Sequence, residues 1–484
     1  MRKYEDMHNA RFHPSILREY DIRGIMGQTL FEKDAYWIGR CFGHVVKEKA
    51  GKAIAVARDG RLSSPQLESS LMKGLCDAGL DVYHLEIGPT PMLYFAEYTL
   101  PVDAAIMVTG SHNPPSHNGF KMSLQRKPFF GKDIAAFSQL ITESLHKGQG
   151  KIYASNLLAL YIDRLLQNLQ LADKLKVVWD SGNGATGDIL KNLIPQLPGH
   201  HILLNAEIDG NFPAHPPDPS DPVNLRELQR VVIEEKYDLG IAFDGDGDRL
   251  AAVDGRGRIL WGDQLLLLFA NDLLKRNPNA TVIADVKTSQ GFFDEITHLG
   301  GQTIMWKTGH SHIKAKMAES RAMLAGEMSG HFFFKEYYYG FDDGIYAAMR
   351  LLNLLSSSSQ NLSEFYDGLP CLYSTPEIRI SCNPEQKFKI PQDIKLRLLT
   401  QGYSFTDLDG IRVQLIEGWW LLRASHTQDV LVARCESYTK AGLERVKQHL
   451  KDELTIEHVL KAGASTCEFE QKIHLFSGKL HILV

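Results

Sequence analysis

The sequence lacks the cysteine patterns that would indicate a disulfide framework or a zinc site. Six cysteines are scattered along 484 residues, and none of them stands in C-x-x-C spacing with another. Paired or clustered cysteines are the usual signature of disulfide-rich and zinc-binding domains. We therefore expect reduced, mostly buried cysteines and a fold that does not depend on crosslinks.

Long apolar runs and an excess of basic charge are also absent. The N-terminal segment MRKYEDMHNA has no apolar stretch of the kind found in signal peptides, and runs such as LLLLFA at 265–270 are far too short to span a bilayer. A formal net charge of −5 gives no general affinity for nucleic acid or anionic lipid. The expectation is a cytoplasmic monomer or weak homo-oligomer without membrane or nucleic-acid partners.

Length and periodicity predict several α/β domains. Single hydrophobic cores stop growing near about 250 to 300 residues, so a chain of 484 residues should divide into three or four units. Apolar runs alternate with amphipathic stretches such as 64–79, where Leu67, Leu71 and Leu75 recur at a period of four. This alternation is typical of mainly parallel sheets, which bind ligands at the carboxyl ends of their strands. Alternating residues after 371 and a helical pattern at 441–454 indicate a final α+β domain.

Three aspartates at alternate positions predict a metal site. Asp244, Asp246 and Asp248 stand in AFDGDGDRL, and carboxylates this close together repel one another unless a cation neutralises them. In an extended strand the outer two would lie about 13 Å apart, but the intervening glycines allow the chain to curl. All-oxygen ligands favour Mg²⁺, and the segment lacks the glutamate that completes an EF-hand.

A serine in a glycine-bearing loop is the candidate phosphate carrier. Ser111 follows the apolar run AAIMV in the loop TGSHNP, where Gly110 lets the backbone approach a ligand. No G-x-S-x-G elbow of a hydrolase is present, so an acyl-enzyme is not expected. Next to a carboxylate metal site, the loop is better explained as a phosphate carrier than as an ordinary turn.

Seven segments, in order, make the sequence resemble the α-D-phosphohexomutases over roughly residues 12–460. The segments are REYDIRG (18–24), TGSHNPPSHNGFK (109–121), DGNFPAHPPDPSDPVNL (209–225), FDGDGDR (243–249), KTGHSHIK (307–314), GEMSGH (326–331) and RASHT (423–427). The resemblance implies three related mixed α/β domains plus a C-terminal α+β domain around a central cleft. The expected domains are 1–155 with the phosphoserine loop, 156–256 with the metal loop, 257–370 with the sugar loop, and 371–484 with a phosphate clamp and C-terminal tail.

The resemblance also implies the catalytic residues. Ser111 would be the phosphoserine and, through its phosphate, a ligand of the Mg²⁺ ion held by Asp244, Asp246 and Asp248. The other expected catalytic residues are Arg23, Lys121, His112, His331 and Arg249. These groups fit phosphoryl transfer, which needs positioning and charge stabilisation more than covalent help. The general acid or base stays open among Lys121, His112 and His331.

Substrate binding is expected at two places. Glu327 and Ser329 in GEMSGH would hold adjacent sugar hydroxyls, and the Met328 form of this loop resembles enzymes that accept both mannose and glucose phosphates. The other expected substrate-binding residues are Tyr20, Lys287, Lys307, His310, Arg423, Ser425, His426 and Thr427. The last four form the RASHT clamp for the phosphate that is not being transferred. Here the sequence departs from the family, which commonly has Asn where this chain has His426.

The implied reaction interconverts hexose 1-phosphate and hexose 6-phosphate through phosphoserine and a 1,6-bisphosphate. Glucose 1,6-bisphosphate or mannose 1,6-bisphosphate would be both the intermediate and the activator, and small sugar phosphates would be the partners. A phosphoglucosamine mutase shares the architecture but should carry a different sugar loop. A Mg²⁺-dependent sugar phosphatase would share the aspartates and serine but needs no second phosphate clamp. A non-catalytic sensor would not need Ser111.

Overall fold

Four β-sheets with their helices form the described part of the chain. The computed structural model describes residues 11–142, 144–172, 174–383, 385–425 and 429–456. The first three sheets are mixed and the fourth is antiparallel. This is the α/β architecture with a final α+β unit that the sequence predicts. Within those residues, no helix combines the length and apolar character that crossing a membrane requires.

The first sheet carries the serine loop. Its strands are β1 (Ile22–Ile25), β2 (Ala53–Arg58), β3 (Asp81–Ile87), β4 (Ala104–Val108), β5 (His117–Leu124), β6 (Lys127–Phe129) and β7 (Ile152–Ala154), in the order β1-β5-β4-β2-β3-β7, with β6 paired to β5. The helices in this stretch of chain are α1 (Glu32–Glu48), α2 (Ser64–Asp77), α3 (Thr90–Thr99), α4 (Lys132–Ala135) and α5 (Phe137–Leu140). Helix α2 confirms the helix that the leucines at a period of four predict. All three are fully buried, each worth about 2 kcal/mol of burial.

The second sheet carries the aspartate loop. Its strands are β8 (Lys176–Asp180), β9 (His200–Leu204), β10 (Leu239–Phe243), β11 (Leu250–Asp254) and β12 (Ile259–Leu260), in the order β12-β11-β10-β8-β9. Helices α6 (Leu158–Leu166), α7 (Gly187–Leu193) and α8 (Arg226–Glu234) belong to this stretch of chain. Because β12 pairs with β11, the sheet extends past residue 256, where the sequence analysis ended the second domain.

The third and fourth sheets follow. The third has strands β13 (Thr281–Asp285), β14 (Gln302–Trp306), β15 (Leu324–Gly326) and β16 (Phe332–Phe334), with helices α9 (Gly262–Arg276), α10 (Gln290–His298), α11 (His310–Ser320), α12 (Gly344–Ser357) and α13 (Leu362–Asp367). The fourth has strands β17 (Tyr373–Ser374), β18 (Ile378–Ser381), β19 (Ser404–Thr406), β20 (Ile411–Leu415), β21 (Gly418–Ala424) and β22 (Val430–Ser437), with helices α14 (Lys389–Thr400) and α15 (Lys440–Ile456). Helix α15 confirms the helical pattern at 441–454.

The three mixed sheets place their functional loops in equivalent positions. In each sheet, a strand that has a parallel neighbour is followed by a short loop and an antiparallel strand: β4 then β5, β10 then β11, and β15 then β16. The serine, aspartate and sugar loops are these three connections. Ligands of parallel sheets gather at such carboxyl ends. The repeated topology therefore gives each unit one such loop at the carboxyl end of a strand that has a parallel neighbour.

Candidate active site

The loop between β4 and β5 presents the Ser111 hydroxyl to the aspartate loop. Ser111 Oγ donates a hydrogen bond to Asp244 Oδ2 at 3.0 Å. His112 Nδ1 lies 3.2 Å from Ser111 Oγ. Ser111 has a left-handed φ of 49°, a conformation that costs a residue with a Cβ about 1 kcal/mol. Its N–H donates to Thr109 Oγ1 at 2.8 Å. The candidate phosphate carrier and the candidate metal site are therefore adjacent.

Two buried residues that the sequence analysis did not identify hold this loop in place. The Arg61 guanidinium donates to four backbone carbonyl oxygens at 2.5–3.0 Å, those of Ser111, Asn113, Pro114 and His117. Asp59 Oδ2 accepts from Arg61 Nε at 3.1 Å and from the Thr109 hydroxyl at 2.8 Å. These bonds compensate the strained backbone of the serine. The segment ARDGRLSS at 57–64 gave no signal beyond that of a polar turn.

The aspartate loop curls as its glycines predict. Gly247 has a φ of +74°, which glycine adopts without a steric penalty. A Cβ on Gly245 would lie 2.5 Å from the carbonyl oxygen of Ser111, so only glycine permits the two loops to approach. Asp244, Asp246 and Asp248 are completely buried and offer carboxylate oxygens within 4.8 Å of one another.

The donor set of this loop fits a magnesium ion. Asp246 Oδ1 and Asp248 Oδ1 are buried and accept no hydrogen bond among the described residues. A buried carboxylate oxygen without a donor carries a large desolvation cost, which a cation relieves. Burial and the neighbouring Asp246 raise the pKa of Asp244 well above its usual value. Three carboxylates are the hard oxygen ligands that Mg²⁺ takes alongside phosphate.

Lys121 and Arg249 supply the positive charge around the aspartates. Lys121 Nζ donates to Asp246 Oδ2 at 2.7 Å and also to Asp248 Oδ2. Burial disfavours the ammonium ion, but the aspartates outweigh it and raise the pKa of Lys121. Arg249 Nε lies 3.8 Å from Asp244 Oδ2. Both side chains are therefore cations at neutral pH, next to the aspartates.

Arg23 contacts the serine loop rather than the aspartates. Its Nη1 donates to the carbonyl oxygen of Gly110 at 2.8 Å and to Asn113 Oδ1 at 3.0 Å. Its Nη2 donates to Asp21. Arg23 Nε is buried and donates to no described residue. That free N–H leaves Arg23 able to donate to a phosphate held on the loop.

His331 lies between Arg249 and a buried carboxylate. Arg249 Nε donates to His331 Nε2 at 3.0 Å, so this nitrogen is the acceptor and the ring proton is on Nδ1. His331 Nδ1 lies 3.2 Å from Asp342 Oδ2. Asp342 was not identified from the sequence. His310 stacks on His331 with ring centroids 5.6 Å apart, and burial and Lys314 lower the pKa of His310 well below its usual value.

The expected sugar loop, 326–331, is hydrogen-bonded to Gly309, the residue before α11. Glu327 Oε1 accepts from the N–H of Gly309 at 2.6 Å, while Oε2 is buried and accepts from no described residue. Burial raises the pKa of Glu327. Ser329 is half-buried. Lys287, another expected substrate-binding residue, forms an ion pair from its Nζ to Glu377 at 3.2 Å.

The expected phosphate clamp begins at Arg423, which contacts residues from three parts of the chain. Arg423, in β21, donates from Nε to Asp409 Oδ2 at 2.9 Å and from Nη2 to the Tyr20 hydroxyl at 3.3 Å. Asp409 Oδ2 also accepts from the N–H of Thr308 at 3.2 Å. Tyr20 and Lys307 line a cavity of about 250 Å³ beside Arg423. Ser425 is buried next to Ala424, and His426 and Thr427 lie outside the described residues.

Four consecutive segments match known domain models. Phosphoglucomutase/phosphomannomutase alpha/beta/alpha domains I, II and III match residues 14–147, 159–257 and 261–373. The C-terminal domain of the same family matches residues 377–453. The matches follow one another in order and together span most of the chain.

Curated proteins and solved structures give the same result. A phosphomannomutase/phosphoglucomutase of Pseudomonas aeruginosa is 44% identical over 91% of this chain and 95% of its own length. A phosphoglucomutase of Neisseria gonorrhoeae is 41% identical over 90% of this chain and 96% of its own. The crystal structure of a phosphoglucomutase/phosphomannomutase family protein from Burkholderia thailandensis is similar with a TM-score of 0.86 at 40% identity, covering 93% of this chain and 98% of that one.

Proposed function

Since the chain belongs to the phosphoglucomutase/phosphomannomutase family, we propose that Ser111 carries the phosphoryl group during turnover. The enzyme moves this group between O1 and O6 of mannose and glucose monophosphates. The observation that carries the proposal is the 3.0 Å hydrogen bond from Ser111 Oγ to Asp244. It supports a serine phosphate whose charge would be balanced by an ion on the aspartates and by Lys121 and Arg249.

The first half-reaction transfers the phosphoryl group from phosphoserine to a free hydroxyl of the bound sugar phosphate. The P–O bond to Ser111 breaks, a new P–O bond forms to the sugar oxygen, and the product is a 1,6-bisphosphate. When bound, Mg²⁺ on Asp244, Asp246 and Asp248 would neutralise phosphate charge. Lys121 and Arg249 would stabilise charge on the equatorial oxygens. Arg23 holds the serine loop and would donate from its unpaired Nε to the phosphate.

The sugar hydroxyl must lose its proton as it attacks. Lys121 is a poor base because two aspartates keep it charged. We assign the base role to His331, whose Nε2 lone pair becomes available when Arg249 turns to the phosphate. Asp342 would keep the other ring nitrogen protonated and stabilise the imidazolium ion that forms. We propose that Lys121, which the two aspartates keep charged, returns a proton to the serine oxygen. His112 would hydrogen-bond to that oxygen as a neutral ring, because burial and Arg249 lower its pKa well below the usual value.

The second half-reaction needs the intermediate to present its other phosphate. Arg423, with Tyr20 and Lys307 beside it, would hold whichever phosphate is not reacting, and Ser425, His426 and Thr427 are proposed to complete this clamp. Glu327, whose Oε2 is unpaired among the described residues, and Ser329 would hold the sugar hydroxyls, with His310 and Lys287 near them. Dephosphorylated Ser111 then takes the second phosphoryl group and releases the isomer. Glucose or mannose 1,6-bisphosphate would therefore prime the enzyme.

The test is a coupled assay on mannose 1-phosphate, glucose 1-phosphate and glucosamine 1-phosphate. Each reaction contains Mg²⁺ and a catalytic amount of glucose 1,6-bisphosphate, and the wild type is compared with Ser111→Ala. Ser116→Ala is the matched control, because this serine is exposed in the same loop. We expect turnover of the mannose and glucose substrates that is lost in Ser111→Ala and retained in Ser116→Ala.

Three other results would contradict parts of the proposal. Dominant turnover of glucosamine 1-phosphate would overturn the role given to Glu327 and Ser329 in sugar choice. Release of free phosphate without 6-phosphate product would indicate a phosphatase. Full mutase activity in Ser111→Ala would remove Ser111 as the carrier.

A further inference from the structure

Two histidines and a glutamate converge on the surface of the first sheet's helices, away from the active site. His44 and Glu48 are four residues apart on α1 and therefore share one face of the helix. His146 reaches this face from the segment that follows α5, and its Nε2 lies 2.6 Å from Glu48 Oε1. The two imidazole rings have centroids 4.8 Å apart. One nitrogen or oxygen of each residue lies within 4.8 Å of the others.

The backbone around His146 is fixed independently of these side-chain contacts. Arg40, one turn before His44 on α1, donates from Nη2 to the carbonyl oxygen of His146 at 2.7 Å. The N–H groups of Gly148 and Gly150 donate to the carbonyl oxygens of Asp77 and Cys76 at 3.0 and 2.9 Å. The position of His146 over α1 is thus set by three hydrogen bonds to neighbouring helices. A helix and an anchored segment together hold the three side chains near one another.

We propose that His44, Glu48 and His146 form a site for one divalent transition-metal ion, Zn²⁺ or a close analogue such as Co²⁺. Two imidazoles and a carboxylate are a donor set that zinc uses with water as the fourth ligand. Imidazole nitrogens select such ions over Mg²⁺, which prefers oxygen. The ion would take the place of the Glu48–His146 hydrogen bond and of the 3.3 Å contact between the His146 N–H and His44 Nδ1.

Such an ion would fasten the segment at 146–150 to α1. This segment leads directly into β7, the edge strand of the first sheet, so the site braces the end of the first unit before the chain enters α6. The hydrogen bond from His146 lowers the pKa of Glu48, so the carboxylate is ionised at neutral pH.

The experiment measures binding of Zn²⁺ and Co²⁺ to the whole protein in excess Mg²⁺, by calorimetry and by the Co²⁺ absorption spectrum. It is done in the wild type and in an Asp246→Asn background, because the aspartate loop is a second place where these ions could bind. The test variants are His146→Ala and Glu48→Gln. The matched control is His298→Ala, an exposed histidine at the end of α10. Mutase activity of His146→Ala and Glu48→Gln in Mg²⁺ alone reports that they fold.

We expect one Zn²⁺ equivalent that persists in the Asp246→Asn background, disappears in His146→Ala, weakens in Glu48→Gln and is unchanged in His298→Ala. The Co²⁺ spectrum should show imidazole coordination in the same variants that bind Zn²⁺. Two results would overturn the proposal. One is that the wild type and His146→Ala bind the ion equally. The other is that Asp246→Asn alone abolishes all binding. The His44, Glu48 and His146 side chains would then bind no metal and would only form a surface hydrogen bond.

Discussion

The Arg61 guanidinium donates to the backbone carbonyl oxygen of Ser111 at 2.7 Å. Arg61 is almost fully buried and is paired with Asp59, which is equally buried. This contact is the centre of a set of hydrogen bonds that fixes the serine loop from beneath. It joins the proposed phosphate carrier to a residue that the substrate need not touch.

Arg61→Ala should inactivate the enzyme and destabilise the first unit. The variant removes four donors to the serine loop and leaves Asp59 buried without its cation, a loss of about 3–5 kcal/mol. Scanning calorimetry should show an earlier transition, and kcat should fall sharply. Arg126→Ala is the control, because Arg126 is also in this unit but contacts Glu97 rather than the serine loop. Normal kcat in Arg61→Ala would show that the strained serine needs no such support.

The sequence predicted those features whose signals are local. The leucines of α2, the helical pattern of α15 and the glycines that curl the aspartate loop are read directly from neighbouring residues. The segments that resemble the family also identified residues from different sheets, such as Ser111 and Asp244, which the structure brings into contact.

The residues that were missed act across long sequence separations. Asp59 and Arg61 belong to what looks like an ordinary polar turn, and their role depends on a loop some fifty residues later. Asp342 and Asp409 have no distinctive neighbours in the sequence. Each gains its role only from the side chain that it meets in the folded chain, His331 or Arg423. Single-sequence patterns contain no signal for such pairs.

Removal of Mg²⁺ should abolish activity, and Asp246→Asn should make the enzyme require far more of it. Asparagine keeps the size of the side chain but removes a charged ligand and one partner of Lys121. The Mg²⁺ concentration for half-maximal activity should rise by at least about tenfold, the loss seen even for changes outside the ligand shell. Asp254→Asn is the control, since Asp254 is buried in the same sheet but pairs with Arg258. An equal rise in both variants would point to general destabilisation.

His331→Gln should lower kcat with little change in KM. Glutamine can still accept a hydrogen bond from Arg249 but cannot take a proton, and loss of a general base costs about 10²–10⁴ in rate. Steady-state kinetics with glucose 1-phosphate separates the two parameters. His117→Gln, at the start of β5, is the comparison. A large rise in KM at unchanged kcat would instead make His331 a substrate-binding residue.

Asp409→Asn should raise KM for the sugar phosphate more than it lowers kcat. Asp409 orients the Arg423 fork through Nε and accepts from the N–H of Thr308. Without the charge, Arg423 loses the ion pair that fixes its guanidinium next to the Tyr20 hydroxyl. The measurement is KM for glucose 1-phosphate, compared with Arg423→Lys, which removes the planar fork itself. A lower KM in Asp409→Asn would mean that Asp409 competes with phosphate for Arg423.

Glu97→Gln should flatten the pH dependence of stability. Burial raises the pKa of Glu97 to about 7, although its carboxylate accepts from the Ser123 hydroxyl at 2.6 Å. The unfolded carboxyl ionises near its ordinary pKa, so between these two values the folded chain holds a proton that the unfolded chain has lost. Stability should therefore fall as pH rises from about 4.5 to about 7, by up to roughly 3 kcal/mol.

Glutamine stays neutral and keeps an acceptor for Ser123. The Glu97→Gln variant should therefore lose this slope and be more stable than the wild type above pH 7. Melting temperatures measured by calorimetry from pH 5 to 8 test this. The control is Glu86→Gln, because Glu86 is exposed near the end of β3. Parallel curves for the wild type and Glu97→Gln would show that Glu97 is ionised in the folded protein at neutral pH.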